Sequence, residues 1–167
     1  MINQNNSASY LSVIALGSNL GNSLETLELV LKTIDEVEGI TLKKYSSWYQ
    51  TKPIGPQQPD YINGCALIEV TLKPDHLLKT LLKIEDQFGR VRKERWGART
   101  LDLDLILYGD LILNTPNLII PHPHMNERAF VLIPLAEIAP NMIEPKSGLT
   151  IIELLEKVDT SGVQLKN

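Results

Sequence analysis

Asp102 and Asp104 are the side chains in this sequence best suited to chemistry. They stand two apart in the run Arg90–Ile106, RVRKERWGARTLDLDLI, directly after the cations Arg90, Arg92, Lys93, Arg95 and Arg99. If Thr100–Tyr108 is a strand, successive side chains face opposite sides. Both carboxylates then share one face with Thr100, Ile106 and Tyr108, their Cα atoms about 6.8 Å apart, twice the strand rise. Leu101, Leu103, Leu105 and Leu107 form a continuous apolar face opposite. Two neighbouring carboxylates repel unless a cation lies between them. A basic segment running into a paired-acid strand is what a Mg²⁺–polyphosphate complex requires, with arginines on the phosphate oxygens and carboxylates on the metal.

Other candidate chemistry is sparse. The single Cys65 lies in an apolar run, and no serine stands in a nucleophile-elbow motif, so covalent catalysis has no evident agent. Pro121-His122-Pro123-His124 places two histidines at i, i+2; zinc is disfavoured there, with no cysteine nearby and prolines fixing the chain. A phosphate- or ribose-contacting histidine is the better functional reading, and a surface-loop histidine the plain one. Tyr61 and Asn63 share a strand face, and an aromatic with an amide suits a flat heterocycle by stacking and edge hydrogen bonds. On those two residues alone, a partly exposed strand end is the simpler explanation.

These residues need elements to position them. Tyr10–Leu16 reads as a buried strand running into Gly17–Gly21, GSNLG, a strand–helix connection whose glycines take unusual φ and which matches no nucleotide-binding glycine motif. Asn22 or Ser23 caps a helix over Leu24–Val37, with Leu24, Leu27, Leu31, Ile34 and Val37 on one face. Ile40–Tyr49 reads as a second strand. Thr51–Asp60, TKPIGPQQPD, is too irregular for regular structure and is a candidate functional loop. Tyr61–Leu72 resumes strand character, and Pro74 opens a second amphipathic helix that Gly89 ends. Beyond the aspartate strand come a short strand at Leu118–Ile120, a helix over Asn126–Ala136 broken at Pro134, a helix over Leu149–Val158 and a polar tail. The order βαββαβ predicts an α+β fold, a ferredoxin-like α/β sandwich with helices on one side of a mostly antiparallel sheet. The leucine face would pack under the helices, leaving the aspartate face open.

Composition sets the limits. A chain of 167 residues with 43% hydrophobic and 22% charged content predicts a single globular domain, residues 1–9 being a flexible lead-in. A net charge of −4 argues against general nucleic-acid binding, and no apolar run approaches a membrane span. The start has no signal-peptide pattern, so a cytoplasmic location is expected. Five of the 16 Lys and Arg residues fall within Arg90–Arg99, a focus suited to one small, highly charged anion.

The segment RWGARTLDLDLI resembles the signature of the 6-hydroxymethyl-7,8-dihydropterin pyrophosphokinases of folate biosynthesis. So do the ALGSNLG opening, the SSWYQTKPIGPQQPDYIN block, the IEDQFGRVRKERWG run and PHPHMNERAFVLIPLAEIAP, in the right order along most of the chain. The resemblance implies transfer of pyrophosphate from ATP to the pterin hydroxymethyl group, releasing AMP, with two Mg²⁺ ions. Asp102 and Asp104 match metal ligands, and Arg90 and Arg92 match catalytic loop arginines that close over the polyphosphate. Glu85, Trp96, Arg99, Leu105, His122 and Arg128 match further ATP contacts. Thr51, Pro53, Ile54, Tyr61, Asn63, Trp96 and Phe130 match the pterin site, Tyr61 and Phe130 as the rings that sandwich it. The implied partners are ATP and the pterin, with no nucleic acid or membrane, and a monomer is expected. Two positions depart from the pattern: Asn117, basic in some relatives, and Ala98, where proline is common. The enzymatic alternative is another Mg²⁺-dependent nucleotidyl- or phosphotransferase, which would lack the stacking pair. A ferredoxin-like ligand-binding regulatory domain is the nonenzymatic one, and it leaves the basic run and acid pair without purpose.

Overall fold

The computed structural model of the chain describes residues 8–52, 57–89 and 101–166. Its centre is a six-stranded sheet in spatial order β5 (Asp102–Tyr108), β1 (Tyr10–Ser18), β4 (Tyr61–Val70), β3 (Tyr49–Thr51) and β8 (Val163–Leu165). A further strand, β2 (Ile40–Tyr45), pairs with the far half of β4. Every ladder in this sheet is antiparallel among the described residues. With α1 (Ser23–Asp35) and α2 (Pro74–Gln87) between the strands, the expected ferredoxin-like α+β core is present. Asn22 caps α1, its side chain accepting from Glu25 N at 3.3 Å. Pro74 occupies the first turn of α2, where its missing N–H costs nothing, and Gly89 at φ 77° follows the helix end. Leu27, Val30 and Ile34 of α1 and Leu77, Leu81 and Ile84 of α2 are buried against Ile14, Leu16, Ile68, Leu103 and Leu105.

The opposite face of the sheet is not open, as the sequence suggested. Val13, Cys65 and Ile106 make its middle apolar, and α3 (Ala129–Ile138) and α4 (Ile151–Leu155) cover it with Val131, Leu132, Leu135, Ile151 and Leu154. Cover stops short of one end of β1, β4 and β5, where Gly17, Asn63, Asp102 and Asp104 lie. The strand alternation of β5 also fails part-way. Ile14 pairs with Leu105 but Val13 pairs with Leu107, so Ile106 is the extra residue of a β-bulge. Ile106 and Leu107 therefore both pack toward α3, and Tyr108 turns to the α1–α2 core, where its hydroxyl donates to Leu72 O. The bulge lies beyond the aspartates, so their shared face survives.

Three smaller expectations change. Ile40–Tyr49 is two strands, bent at Ser46–Trp48, because Trp48 fills the space over Gly64; a Cβ there would lie 2.6 Å from the indole. Pro134 lies inside α3 rather than ending it, its ring buried in the core, and Met125–Glu127 forms a separate 3₁₀ turn. The last helix is only Ile151–Leu155, and the supposed polar tail returns as β8 to pair the otherwise exposed edge of β3. The strand expected at Leu118–Ile120 is β7 (Ile119–Ile120), paired with β6 (Leu113–Asn114). No helix among the described residues is long and apolar enough to cross a membrane.

Candidate active site

The uncovered end of the sheet and the start of α3 enclose a cleft of about 460 Å³, within the ordinary size of a small-molecule site. Asp102 and Asp104 line one side of it, both half-buried. Their strand is held on one edge by β1, where Gly17 faces Asp102 and Ala15 faces Asp104. On the outer edge, the Leu103 N–H between them donates to Glu85 at 2.8 Å. The Arg128 guanidinium lies 3.9 Å from Asp104 Oδ2 and 5.5 Å from the centre of the Phe130 ring. An arginine held over an aromatic face in this way offsets part of the repulsion between the carboxylates. No cluster of three or more His, Cys, Asp or Glu that could hold a metal occurs among the described residues. Two carboxylates on one strand face nevertheless fit Mg²⁺, which is usually held by one or two carboxylates while waters and substrate phosphates complete its octahedron.

Tyr61, Asn63 and Thr51, from adjacent strands, line the other side with Phe130. Asn63 Nδ2 donates to Thr51 Oγ1 at 2.9 Å in a buried setting, which fixes the amide. Its Oδ1 then lies over Gly17, where a Cβ would approach to 2.9 Å. The β1 glycine is thus the space that the amide occupies, a role that reading GSNLG as a turn missed, although Gly21 does take φ 71°. Asn19, 2% exposed, donates to Gln58 Oε1 at 2.7 Å and Pro59 O at 2.9 Å, tying the same motif to the approach to Tyr61. Lys52 and Glu127 also line the cleft and were not singled out from sequence; as lone exposed charges they carry no pattern to find.

The remaining expected residues divide. His122 is half-buried beside the cleft and His124 lines it, 3.8 Å from Glu127. His122 N donates to Ile106 O at 2.9 Å, and its Nδ1 accepts from His124 N at 3.2 Å, which leaves the ring proton on Nε2. Burial chiefly, with the Arg128 cation and His124, lowers the His122 pKa to about 4 against the pull of Asp102. Glu85 and Leu105 are buried, Leu105 in the core under the helices. Arg90, Arg92, Trp96, Arg99, Pro53 and Ile54 lie outside the described residues.

A family model described as 7,8-dihydro-6-hydroxymethylpterin-pyrophosphokinase matches residues 13–140, which include the acid pair, Tyr61, Phe130 and the histidine turn. The chain belongs to this pyrophosphokinase family. It is 53% identical over 152 residues to 2-amino-4-hydroxy-6-hydroxymethyldihydropteridine pyrophosphokinase of Synechocystis sp., covering 91% of this chain and 78% of that protein. The Haemophilus influenzae pyrophosphokinase is 49% identical over 145 residues, 86% of this chain and 90% of that one. Among solved structures, wild-type Plasmodium falciparum HPPK-DHPS with pterin and p-hydroxybenzoate superposes with a TM-score of 0.73 at 14% identity, over 90% of this chain and 42% of that one. At that identity the superposition bears on the fold alone.

Proposed function

We propose that this cleft is the centre at which the pyrophosphokinase moves the β,γ-pyrophosphoryl group of ATP to the hydroxymethyl oxygen of 6-hydroxymethyl-7,8-dihydropterin. The hydroxymethyl oxygen forms a bond to Pβ and gives up its proton, the bridging Pα–O–Pβ bond breaks, and AMP leaves with that bridging oxygen. The observation that carries the reading is the meeting, in one cleft, of a paired-acid strand and a fixed aromatic–amide set. Such transfer needs positioned charge rather than a protein nucleophile.

Asp102 and Asp104 are the proposed Mg²⁺ ligands, and two ions are proposed from the resemblance. Bound Mg²⁺ would neutralise phosphate charge and align the oxygens for in-line displacement. Tyr61 and Phe130 stack the pterin, and Asn63, locked by Thr51, offers its Oδ1 to donors on the pterin edge. Arg128 stands where it can meet phosphate oxygens while Phe130 holds its guanidinium in place. Neutral His122 offers an N–H without adding charge. Arg90, Arg92, Trp96 and Arg99 are proposed from the resemblance to contribute the further phosphate and ring contacts, and Pro53 and Ile54 the pterin rim. The partners proposed are these two small molecules, with no nucleic acid and no membrane, for a monomeric cytoplasmic enzyme.

Incubation with ATP, Mg²⁺ and the pterin should yield AMP and the pterin diphosphate; ADP as the product would make the protein an ordinary kinase. Asp104→Ala, and Asp102→Ala likewise, should nearly abolish turnover in a protein with unchanged circular dichroism. Near-wild-type Mg²⁺-dependent turnover in either variant removes the metal assignment.

A further inference from the structure

We propose that Glu85 is a positioning residue that sets the two metal-binding aspartates, acting through the backbone of the strand that carries them. This rests on the reading of Asp102 and Asp104 as metal ligands. Among the described residues, the strand β5 lies at the edge of the sheet and pairs with β1 alone. In an antiparallel ladder, alternate N–H groups point away from the partner strand. The Leu103 N–H is such a group, and it sits between the two aspartates. The carboxylate of Glu85, from the last turns of α2, accepts it at 2.8 Å.

Three features make this more than incidental packing. Glu85 is 2% exposed, and a buried carboxylate costs free energy unless it gains strong hydrogen bonds. At 2.8 Å, the bond from the Leu103 N–H lies at the short end of the N–H···O range. Its anchor point is also specific: the Leu103 side chain is buried in the α1–α2 core while its neighbours Asp102 and Asp104 face the cleft. A tilt of the Leu103 peptide would therefore turn both carboxylates together. Farther along the strand, His122 N donates to Ile106 O at 2.9 Å, a second backbone anchor beyond the acids. Two ligands held on one strand keep their spacing only as well as that strand keeps its twist.

The test compares Glu85→Ala and Glu85→Gln in the full-length protein with three readouts. Amide exchange at Leu103, by nuclear magnetic resonance, should accelerate about tenfold in Glu85→Ala, since its hydrogen-bond acceptor is lost. Mn²⁺ binding in the presence of α,β-methylene-ATP, followed by electron paramagnetic resonance, should weaken about tenfold. In turnover, the half-saturating Mg²⁺ concentration should rise similarly, with the pterin KM changed less than twofold. Glu85→Gln keeps an oxygen that can accept the Leu103 N–H, so it should hold exchange and Mn²⁺ affinity within about threefold of wild type. Unchanged Leu103 exchange in Glu85→Ala overturns the proposal, as does Glu85→Gln matching Glu85→Ala in Mn²⁺ affinity. If Asp104→Ala also leaves Mn²⁺ affinity unchanged, the metal assignment itself fails; if only the Glu85 variants leave it unchanged, the positioning role alone fails.

Discussion

A methyl group added at position 17 probes the side of the cleft proposed for the pterin. Gly17 does not use the left-handed backbone region, so alanine is allowed by the chain and only space opposes it. The new Cβ would lie 2.9 Å from Asn63 Oδ1, about 0.5 Å inside ordinary contact. Asn63 cannot simply swing away, because its Nδ2 is bonded to Thr51 Oγ1 at 2.9 Å. Turning the amide loses that bond, worth about 1 kcal/mol, and takes the side chain off its rotamer at about 0.5–1.5 kcal/mol. The turned amide no longer offers its Oδ1 where the proposed pterin edge would lie, a hydrogen bond of about 1 kcal/mol or about fivefold in affinity. Fold stability carries the amide's own losses, roughly 1.5–2.5 kcal/mol, less the roughly 0.5–1 kcal/mol that alanine in a strand gains over glycine. Calorimetric titration of the pterin into protein saturated with α,β-methylene-ATP measures the first quantity, and thermal unfolding the second. Asn63→Ala with and without Gly17→Ala completes a cycle in which the two changes should be strongly non-additive. Unchanged pterin affinity in Gly17→Ala, or simple additivity in the cycle, would refute the claim that Gly17 exists to seat the amide.

Two pH predictions follow from buried rings. The His122 imidazole should remain neutral from pH 8 down to about 5.5 in the ligand-free protein, with a midpoint near 4; a midpoint above 6 by nuclear magnetic resonance would contradict its placement. Because this folded pKa lies below the ordinary value, the unfolded chain takes up the proton first, and stability is lost as pH falls from about 6.5 toward 4. Tyr49, whose hydroxyl donates to Glu137 at 2.5 Å, has its pKa raised to about 12 by burial first and then by that carboxylate. Its stabilisation is complete below pH 10 and is lost as pH rises toward 12, so Glu137→Gln should bring tyrosinate absorbance in at lower pH than wild type; no difference would separate the pair.

Part of the candidate site was legible before any fold. The i, i+2 aspartates needed only strand periodicity to share a face, whereas the cations before them lie outside the described residues. The two rings proposed to stack the pterin were not legible in that way. Tyr61 and Phe130 are far apart in sequence, and only the approach of α3 to the end of β4 places both at one cleft.

Sequence by itself therefore determined the local properties: the helix starts at Asn22 and Pro74, the strand carrying the acids, and the family through several ordered motifs. Tertiary structure decided what depends on packing across elements. The bulge at Ile106 arises from how β5 must register on β1 while feeding two cores, which no period-2 pattern encodes. The second helical layer, the return of Val163–Leu165 to the sheet edge, the glycine beneath Asn63 and the carboxylate behind Leu103 are likewise contacts between distant residues. Neighbours in the chain set conformation; neighbours in space set what each conformation is for.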